Sequence, residues 1–249
     1  VARAAKKRPA SKKRTVKKKG VQKAPFRPVR AALKWAGRGA AVCLALMFLA
    51  TVIYAFVNPP TTPYILSEAR RLGDVDHQWV DIEDIAPVMA RSVVAAEDAN
   101  YCYHWGFDMA AIREALEDGG QRGASTISQQ VVKNAYLWQG RNWLRKALEA
   151  VMTPLVEAVW TKRRILEVYL NVAEFGEGVF GIEAAAQNYF KVRPKGLNST
   201  QAARLAALLP NPKDRSAARP SAFVRRRANS IADGAATIKA DGRAACFES

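Results

Sequence analysis

The chain has 249 residues, enough to bury a sizeable core in one or two domains. Its 39 Lys and Arg against 22 Asp and Glu give a net charge of +17, a balance that by itself suggests a polyanion ligand. Placement removes that reading for most of the chain: fifteen of the basic residues fall in residues 1–38, which hold no acid, and the other 24 nearly balance the 22 acids.

In chain order, residues 1–38 come first, with the run "KKRPASKKRTVKKKG". Such a composition cannot bury a core, and the segment is predicted to be disordered. Gly39–Asn58, "GAAVCLALMFLATVIYAFVN", carries no charge. Its length suits the roughly 20 helical residues that cross a bilayer's hydrocarbon core of about 30 Å. The expectation is a single transmembrane helix over 39–58. The basic tail should stay in the cytoplasm, because Lys/Arg-rich flanks remain inside. Residues 59–249 then lie on the outer side. A cleaved signal peptide fits less well, since its apolar core is typically about 7–15 residues and no clear small-x-small site precedes Pro59 and Pro60. Cys43 lies in the span. Cys102 and Cys246 are the thiols outside it, and the sequence leaves open whether they are free or bridged.

The outer region reads as mostly helical. "IAPVMARSVVAAED" places Ile85, Val88, Met89, Val93 and Ala96 near helical spacing and predicts a helix ending at Glu97. "NWLRKALEAVMTPLVEAVW" puts Leu144, Leu148, Val151, Leu155 and Val159 on one stripe. "KRRILEVYLNVAEFG" and "FGIEAAAQNYF" follow as helices or helix-ended turns, and "NSTQAARLAALLPNP" starts at a polar cap and stops at Pro210. The best strand candidate is "QWVDI" at 78–82. The prediction is one α-dominated domain on one membrane anchor.

Two clusters carry chemistry. "AAEDANYCYHWGFD", Ala95–Asp108, sets the adjacent acids Glu97 and Asp98 behind an apolar run, with His104 and four aromatics following. A Glu at a helix end is more often a capping or solvated group than a catalyst. "GASTISQQVVKN", Gly123–Asn134, gathers many uncharged donors and acceptors, which suits a sugar or phosphate surface. A polar loop entering a helix through its Ser/Thr cap explains the same pattern.

These two stretches, with "RKALEA" and "KRRILEVYLNVAEFGEGVFGIEAAAQNYF" in the same order, resemble glycosyltransferase family 51, the peptidoglycan glycosyltransferases, over residues 60–232. The resemblance is to the monofunctional, Gram-negative form, without a transpeptidase half. It implies a lysozyme-like, largely helical periplasmic domain anchored in the inner membrane. It also implies polymerisation of lipid II, in which an acceptor 4-hydroxyl attacks the donor's anomeric carbon with inversion and undecaprenyl pyrophosphate leaves. Glu97 matches the family's general base and Glu149 its second essential glutamate, beside the leaving diphosphate. Lys133, Arg141 and Arg145 match cationic positions near that diphosphate. Arg145 and Glu149 are also four apart on one helix, where they could simply pair. Ser125, Thr126, Gln129, Gln130 and Asn134 are expected to shape sugar and phosphate contacts. Asp98, His104 and Asp108 are expected to support the Glu97 turn. Lys162, Glu167, Tyr169 and Asn171 are read mostly as scaffold. No cofactor is identified, and whether a divalent cation is required at the diphosphate is left open. Implied partners are lipid II, the growing strand, membrane lipid and cell-wall synthesis proteins, with no nucleic acid. Against the pattern, Cys102 is unusual, Gln201 replaces a common acid, and only fourteen residues separate Asp108 from Gly123. The rival functions are a lytic enzyme, which has no diphosphate to hold and so no use for those cations, and a membrane-anchored polyanion-binding protein.

Overall fold

The computed structural model describes Val1 and residues 27–119, 123–140 and 142–248, apart from the side chains of residues 27 and 28. It divides into two compact units, residues 1–44 and 45–249. The first helix, α1, covers Arg27–Tyr54. It therefore starts well before the apolar stretch that began at Gly39, and draws residues 27–38 of the basic segment into helix. The cause is local: "RAALKWAGR" is rich in good helix formers, and Pro28 sits in the first turn, where its missing N–H costs nothing. Residues 2–26, on which most of the predicted disordered tail falls, lie outside the described residues. Val29–Tyr54 is long and apolar enough to cross a membrane, with mean hydropathy 1.9 and nearly every side chain exposed.

Within the second unit, the end of α1 is closed by side chains from later in the chain. The Trp160 indole donates to the Thr51 carbonyl (2.7 Å), and Arg164 donates to the carbonyls of Tyr54 (3.0 Å) and Val57 (3.1 Å) and to the Asn58 side chain (2.8 Å). The bond to Tyr54 satisfies a carbonyl that the helix end leaves without a partner, and the bond to Thr51 adds a second donor to the one from Ala55. Asn58 then precedes two prolines, a context that disfavours helix.

The remaining helices are α2 (Pro63–Leu72), α3 (Pro87–Glu97), α4 (Met109–Glu117), α5 (Ile127–Tyr136), α6 (Trp143–Val159), α7 (Lys162–Val172), α8 (Gly181–Phe190), α9 (Ser199–Ala206), α10 (Ala222–Ala240) and the short α11 (Ala245–Glu248). Among the described residues this is mostly α, as the sequence predicts. α3 packs on α9 and α10, and α5 packs on α6 and α7. α7 opens on Lys162, Arg163 and Arg164, but from Ile165 onward all its residues except Glu167 are buried, Leu166, Val168, Leu170 and Val172 among them, so its second half runs through the core. Each such aliphatic side chain contributes roughly 1.5–3 kcal/mol when fully buried.

The strand expectation at 78–82 is not met. A three-stranded sheet forms instead from β1 (Asp76–His77), β2 (Glu174–Gly176) and β3 (Val179–Phe180), in the order β1-β3-β2. β1 is parallel to β3 (Asp76 opposite Val179), and β2 is antiparallel to it. The reason lies at Asn171. Its amide accepts from the Val80 N–H and donates to the Val80 carbonyl, both at 2.8 Å, so a side chain takes the place of a strand partner. Gly181, at φ +80°, follows the hairpin; a Cβ there would come within 2.8 Å of the Asn171 carbonyl oxygen.

The stripe on α6 also differs in meaning from its pattern. Leu144 and Val151 are exposed, and the buried side carries Glu149, Met152, Thr153, Val156 and Glu157. Trp143, at 90 % exposure, extends the outward apolar face. Helical spacing identified a face correctly but not what covers it.

Candidate active site

Glu97 is the last residue of α3, and Asp98 caps that helix with its backbone N–H bonded to the Val94 carbonyl. The chain then turns through a 3-10 segment, Tyr101–Tyr103. Asp98 is the organiser of this turn. One carboxylate oxygen pairs with His104 Nε2 (2.7 Å), and the other accepts from the backbone N–H of Ile127 (3.0 Å) at the first turn of α5. A carboxylate there also complements the positive end of that helix. Asp108 caps α4, accepting from the N–H groups of Ala110 (3.0 Å) and Ala111 (2.9 Å), and accepts from the Asn100 amide. Its bond from the Ala111 N–H, foremost, holds its carboxyl below the ordinary range. Gly106, at φ +85°, lets this turn lie against α6: a Cβ would fall 2.6 Å from the Thr153 methyl. Of the predicted supporting residues, Asp98, next to Glu97, pairs directly with His104, and Asp108 holds the same turn through Asn100.

The Glu97 carboxylate is mostly buried. Oε2 accepts from the Gln130 amide (2.8 Å), while Oε1 is buried without a hydrogen-bond partner and faces Arg227 Nη2 at 3.8 Å. Burial is the main cause that raises its pKa above the ordinary 4.5; the Gln130 bond and the charges of Arg227 and Lys133 act against it. One oxygen is therefore fixed and the other is left with nothing but a nearby cation.

α5 supplies the second half of the site. Thr126 is its N-cap and forms a capping box with Gln129: Thr126 Oγ1 accepts from the Gln129 N–H (3.3 Å), and the Gln129 side chain accepts from the Thr126 N–H (3.0 Å). Thr126 also donates to the Gly106 carbonyl (2.7 Å). These two predicted contact residues are therefore structural by geometry, although Gln129 also lines the cleft described next. Ser125, Gln129, Gln130, Lys133, Arg145, Lys146 and Glu149 surround a cavity of about 160 Å³. Glu149 is buried and held between Arg145 and Lys146, whose ammonium lies 2.9 Å from Oε2 and 3.2 Å from the Ser125 hydroxyl. With its oxygens facing cations of the chain itself, this carboxylate fits a divalent ion poorly. No group of three His, Cys, Asp or Glu that could hold a metal occurs among the described residues. Burial, then the charge of Arg145, lowers the Lys133 pKa. Burial, then Arg145 and Lys133, lowers that of Lys146. Three cations crowded at one cavity form a site short of negative charge. Arg141, the other predicted cation, lies outside the described residues.

Gln130 and Lys133 also face a second cavity of about 250 Å³, with Asn134, Tyr169, Glu174 and Lys213. Asn134 accepts there from the Gln139 amide (3.2 Å). Sequence reasoning missed three participants. Tyr169, read as scaffold, donates to Gln130 (3.2 Å) and so braces the residue that holds Glu97. Arg227 faces Glu97, and Arg215 feels its charge. The run Arg225–Arg227 was the available signal: Arg227 lies on α10 beside the buried Val224, Ala228 and Ile231. Gln201 proves to be half of another capping box, with Asn198, where an amide serves as well as an acid.

Residues 65–236 match the family model described as Transglycosylase. The chain is 61% identical over 214 residues to the biosynthetic peptidoglycan transglycosylase of Jannaschia sp. (strain CCS1), covering 86% of this chain and 90% of that one. It is 43% identical over 209 residues to the protein of the same name from Caulobacter vibrioides (82% and 91%) and 48% identical over 223 residues to that of Xanthomonas axonopodis pv. citri (85% and 91%). The chain belongs to the transglycosylase family.

Proposed function

We propose that this chain is a membrane-anchored peptidoglycan glycosyltransferase that polymerises lipid II into glycan strands. The observation that carries the reading is the pairing of two environments through Gln130: a buried carboxylate with one oxygen free, and a cavity with Lys133, Arg145 and Lys146 around Glu149. An alcohol attacks poorly while protonated. Glu97 Oε1 takes the proton of the acceptor 4-hydroxyl as its oxygen bonds to the donor's anomeric carbon, and the raised pKa suits a base working near neutral pH. The bond to diphosphate breaks on the opposite face, giving inversion. Fixed cations stabilise the negative charge where it accumulates on the departing diphosphate. Glu149 holds Arg145 and Lys146 in place and tempers their mutual repulsion.

The exposed apolar side chains Trp138, Trp143, Leu144 and Val151 suit a lipid surface, where a polyprenyl-linked donor resides. α1 supplies the anchor. The positive-inside rule supports a cytoplasmic N-terminus and a periplasmic domain in the inner membrane. So does the Cys102–Cys246 disulfide, since such bonds persist in oxidising compartments such as the bacterial periplasm. The domain boundaries follow as a basic segment, a membrane helix and a catalytic domain from about residue 59. Cell-wall synthesis proteins are the expected neighbours.

The test is polymerisation of labelled lipid II by wild type and Glu97→Gln. Polymer from the variant at more than one tenth of the wild-type rate sinks the assignment. Protease added to spheroplasts should digest the domain and spare the N-terminal segment; digestion of that segment overturns the orientation.

A further inference from the structure

Cys102 is the feature of the Glu97 turn that the site does not use. It is joined to Cys246, 144 residues away, with the two Cα atoms 5.7 Å apart. The bond is one of several links between residues 241–248 and the same turn. Arg243 Nη1 donates to the carbonyl of Ala99 (3.1 Å), two residues after Glu97, and the Arg243 guanidinium is itself held by Asp241. Phe247 is fully buried, with its ring 6.2 Å from that of Tyr101, and its carbonyl accepts from Arg163 (3.1 Å) on α7. Glu248 pairs with Arg91 (2.5 Å), on the helix that ends in Glu97. The matched family region stops at residue 236. These contacts therefore come from beyond the matched family region and converge on the segment that carries the proposed base.

We propose that residues 241–248 form a strap, locked by the Cys102–Cys246 disulfide, that positions Glu97, so that turnover depends on the oxidation state of this pair. The proposal rests on the reading of Glu97 as the base. The physical argument is one of support. Glu97 and Asp98 sit where a helix ends, and such ends fray unless tied down. Asp98 and His104 tie the turn to α5 from inside. The strap ties it from the other side at Ala99, Tyr101 and Cys102. Closing a chain segment this long removes much freedom from the opened state. Oxidation forms the Sγ–Sγ bond as two S–H bonds break; two protons and two electrons pass to a disulfide-bearing oxidant, which becomes two thiols. Both cysteines are only partly buried, so such a reagent can reach them.

The experiment uses the full chain in detergent, oxidised, reduced with dithiothreitol, and re-oxidised with oxidised glutathione. Polymerisation of labelled lipid II is followed against donor concentration and pH. The oxidised protein should show one free thiol, Cys43; three would overturn the proposal. Reduction should lower kcat roughly tenfold or more, because small displacements of a reacting group are costly. KM for the donor should stay within about twofold, since the cation cavity lies on α5 and α6. The acid limb of the rate profile should also move toward lower pH as the turn loosens and Glu97 gains water. The groups that otherwise set that limb stay in place: Gln130 and Lys133 on α5, Tyr169 on α7, Arg227 on α10, Arg215 before it, and Asp98. Re-oxidation should restore both. Cys246→Ser should copy the reduced enzyme, and Arg243→Ala should lower kcat further in the reduced state, with Arg243→Lys recovering part. If reduction lowers Tm while kcat and the acid limb stay put, the strap is only structural and the proposal is wrong. Equal loss of kcat and donor affinity, as from general unfolding, also overturns it. Glu97→Gln in the oxidised state separates the two ideas. An active variant defeats the proposed function, whereas a dead variant beside an unaffected reduced enzyme defeats the strap alone.

Discussion

Glu97 and Glu149 are both buried glutamates on helices, yet they stand in opposite surroundings. Glu97 has one neutral hydrogen-bond donor, a free oxygen and an arginine at 3.8 Å, and burial raises its pKa. Glu149 lies between Arg145 and Lys146. Burial without a close ion pair makes a carboxylate basic. Burial between two cations makes it part of a cationic cradle. Under the proposed function, the same residue type serves as a proton acceptor in one place and a charge organiser in the other.

The largest effect expected is on Glu97→Gln. The amide keeps the Gln130 contact in shape but cannot take a proton, so polymerisation should fall by about 10²–10⁴-fold. The variant should also be more stable at neutral pH. Burial raises the folded pKa, so between 4.5 and that raised value the folded chain holds a proton that the unfolded chain has released. The stability this group contributes falls as pH rises through that window and stays reduced above it. Thermal melts of the two proteins should converge below pH 4.5 and diverge in favour of Glu97→Gln above it. A variant less stable than wild type at pH 7 would break the contrast with Glu149.

Glu149→Gln leaves Arg145 and Lys146 without their carboxylate. Turnover at saturating donor should drop by roughly tenfold or more, more than donor affinity does, because the cradle acts on charge that develops in the transition state. Loss of donor affinity alone would make Glu149 merely a helix partner of Arg145.

Lys133→Ala should weaken a diphosphate-bearing donor by about tenfold, near the 1.5–3 kcal/mol of a charge-assisted hydrogen bond. An acceptor analogue without diphosphate should bind nearly as before. Arg141→Ala should behave alike, with Arg141→Lys recovering only part, because a guanidinium can hold two phosphate oxygens where an ammonium is a point charge. Titration calorimetry of both ligands decides this. The smallest effect is expected at Thr126→Ala, which loses one half of a capping box: about 1 kcal/mol of stability, read as a few degrees in Tm, with the pH profile unmoved.

The periodicity of Ile85–Ala96 located the end of α3 at Glu97, the polar start of "NSTQAARL" marked the start of α9, and the Ser/Thr cap weighed as the alternative reading of "GASTISQQ" is the one α5 has, because these are properties of neighbouring residues. The same local rules failed at 78–82, where Asn171, some ninety residues away, takes the backbone bonds of Val80. They also could not say which face of α6 is covered, since an apolar stripe reads alike whether it meets a core or a lipid surface. Arg227 and Tyr169 were invisible as partners of the Glu97 environment because no spacing rule relates α10 and α7 to α3.

By itself, then, the sequence determined the helical class, the membrane-length apolar segment and the family, all of which reside in composition, short-range period and ordered motifs, and it singled out Glu97 and Glu149 as candidates. The tertiary structure decided that Glu97 Oε1 is left free, that Glu149 is enclosed by cations, and that Cys102 meets Cys246. Each of these depends on distances between segments far apart in the chain, which packing sets and local pattern does not encode.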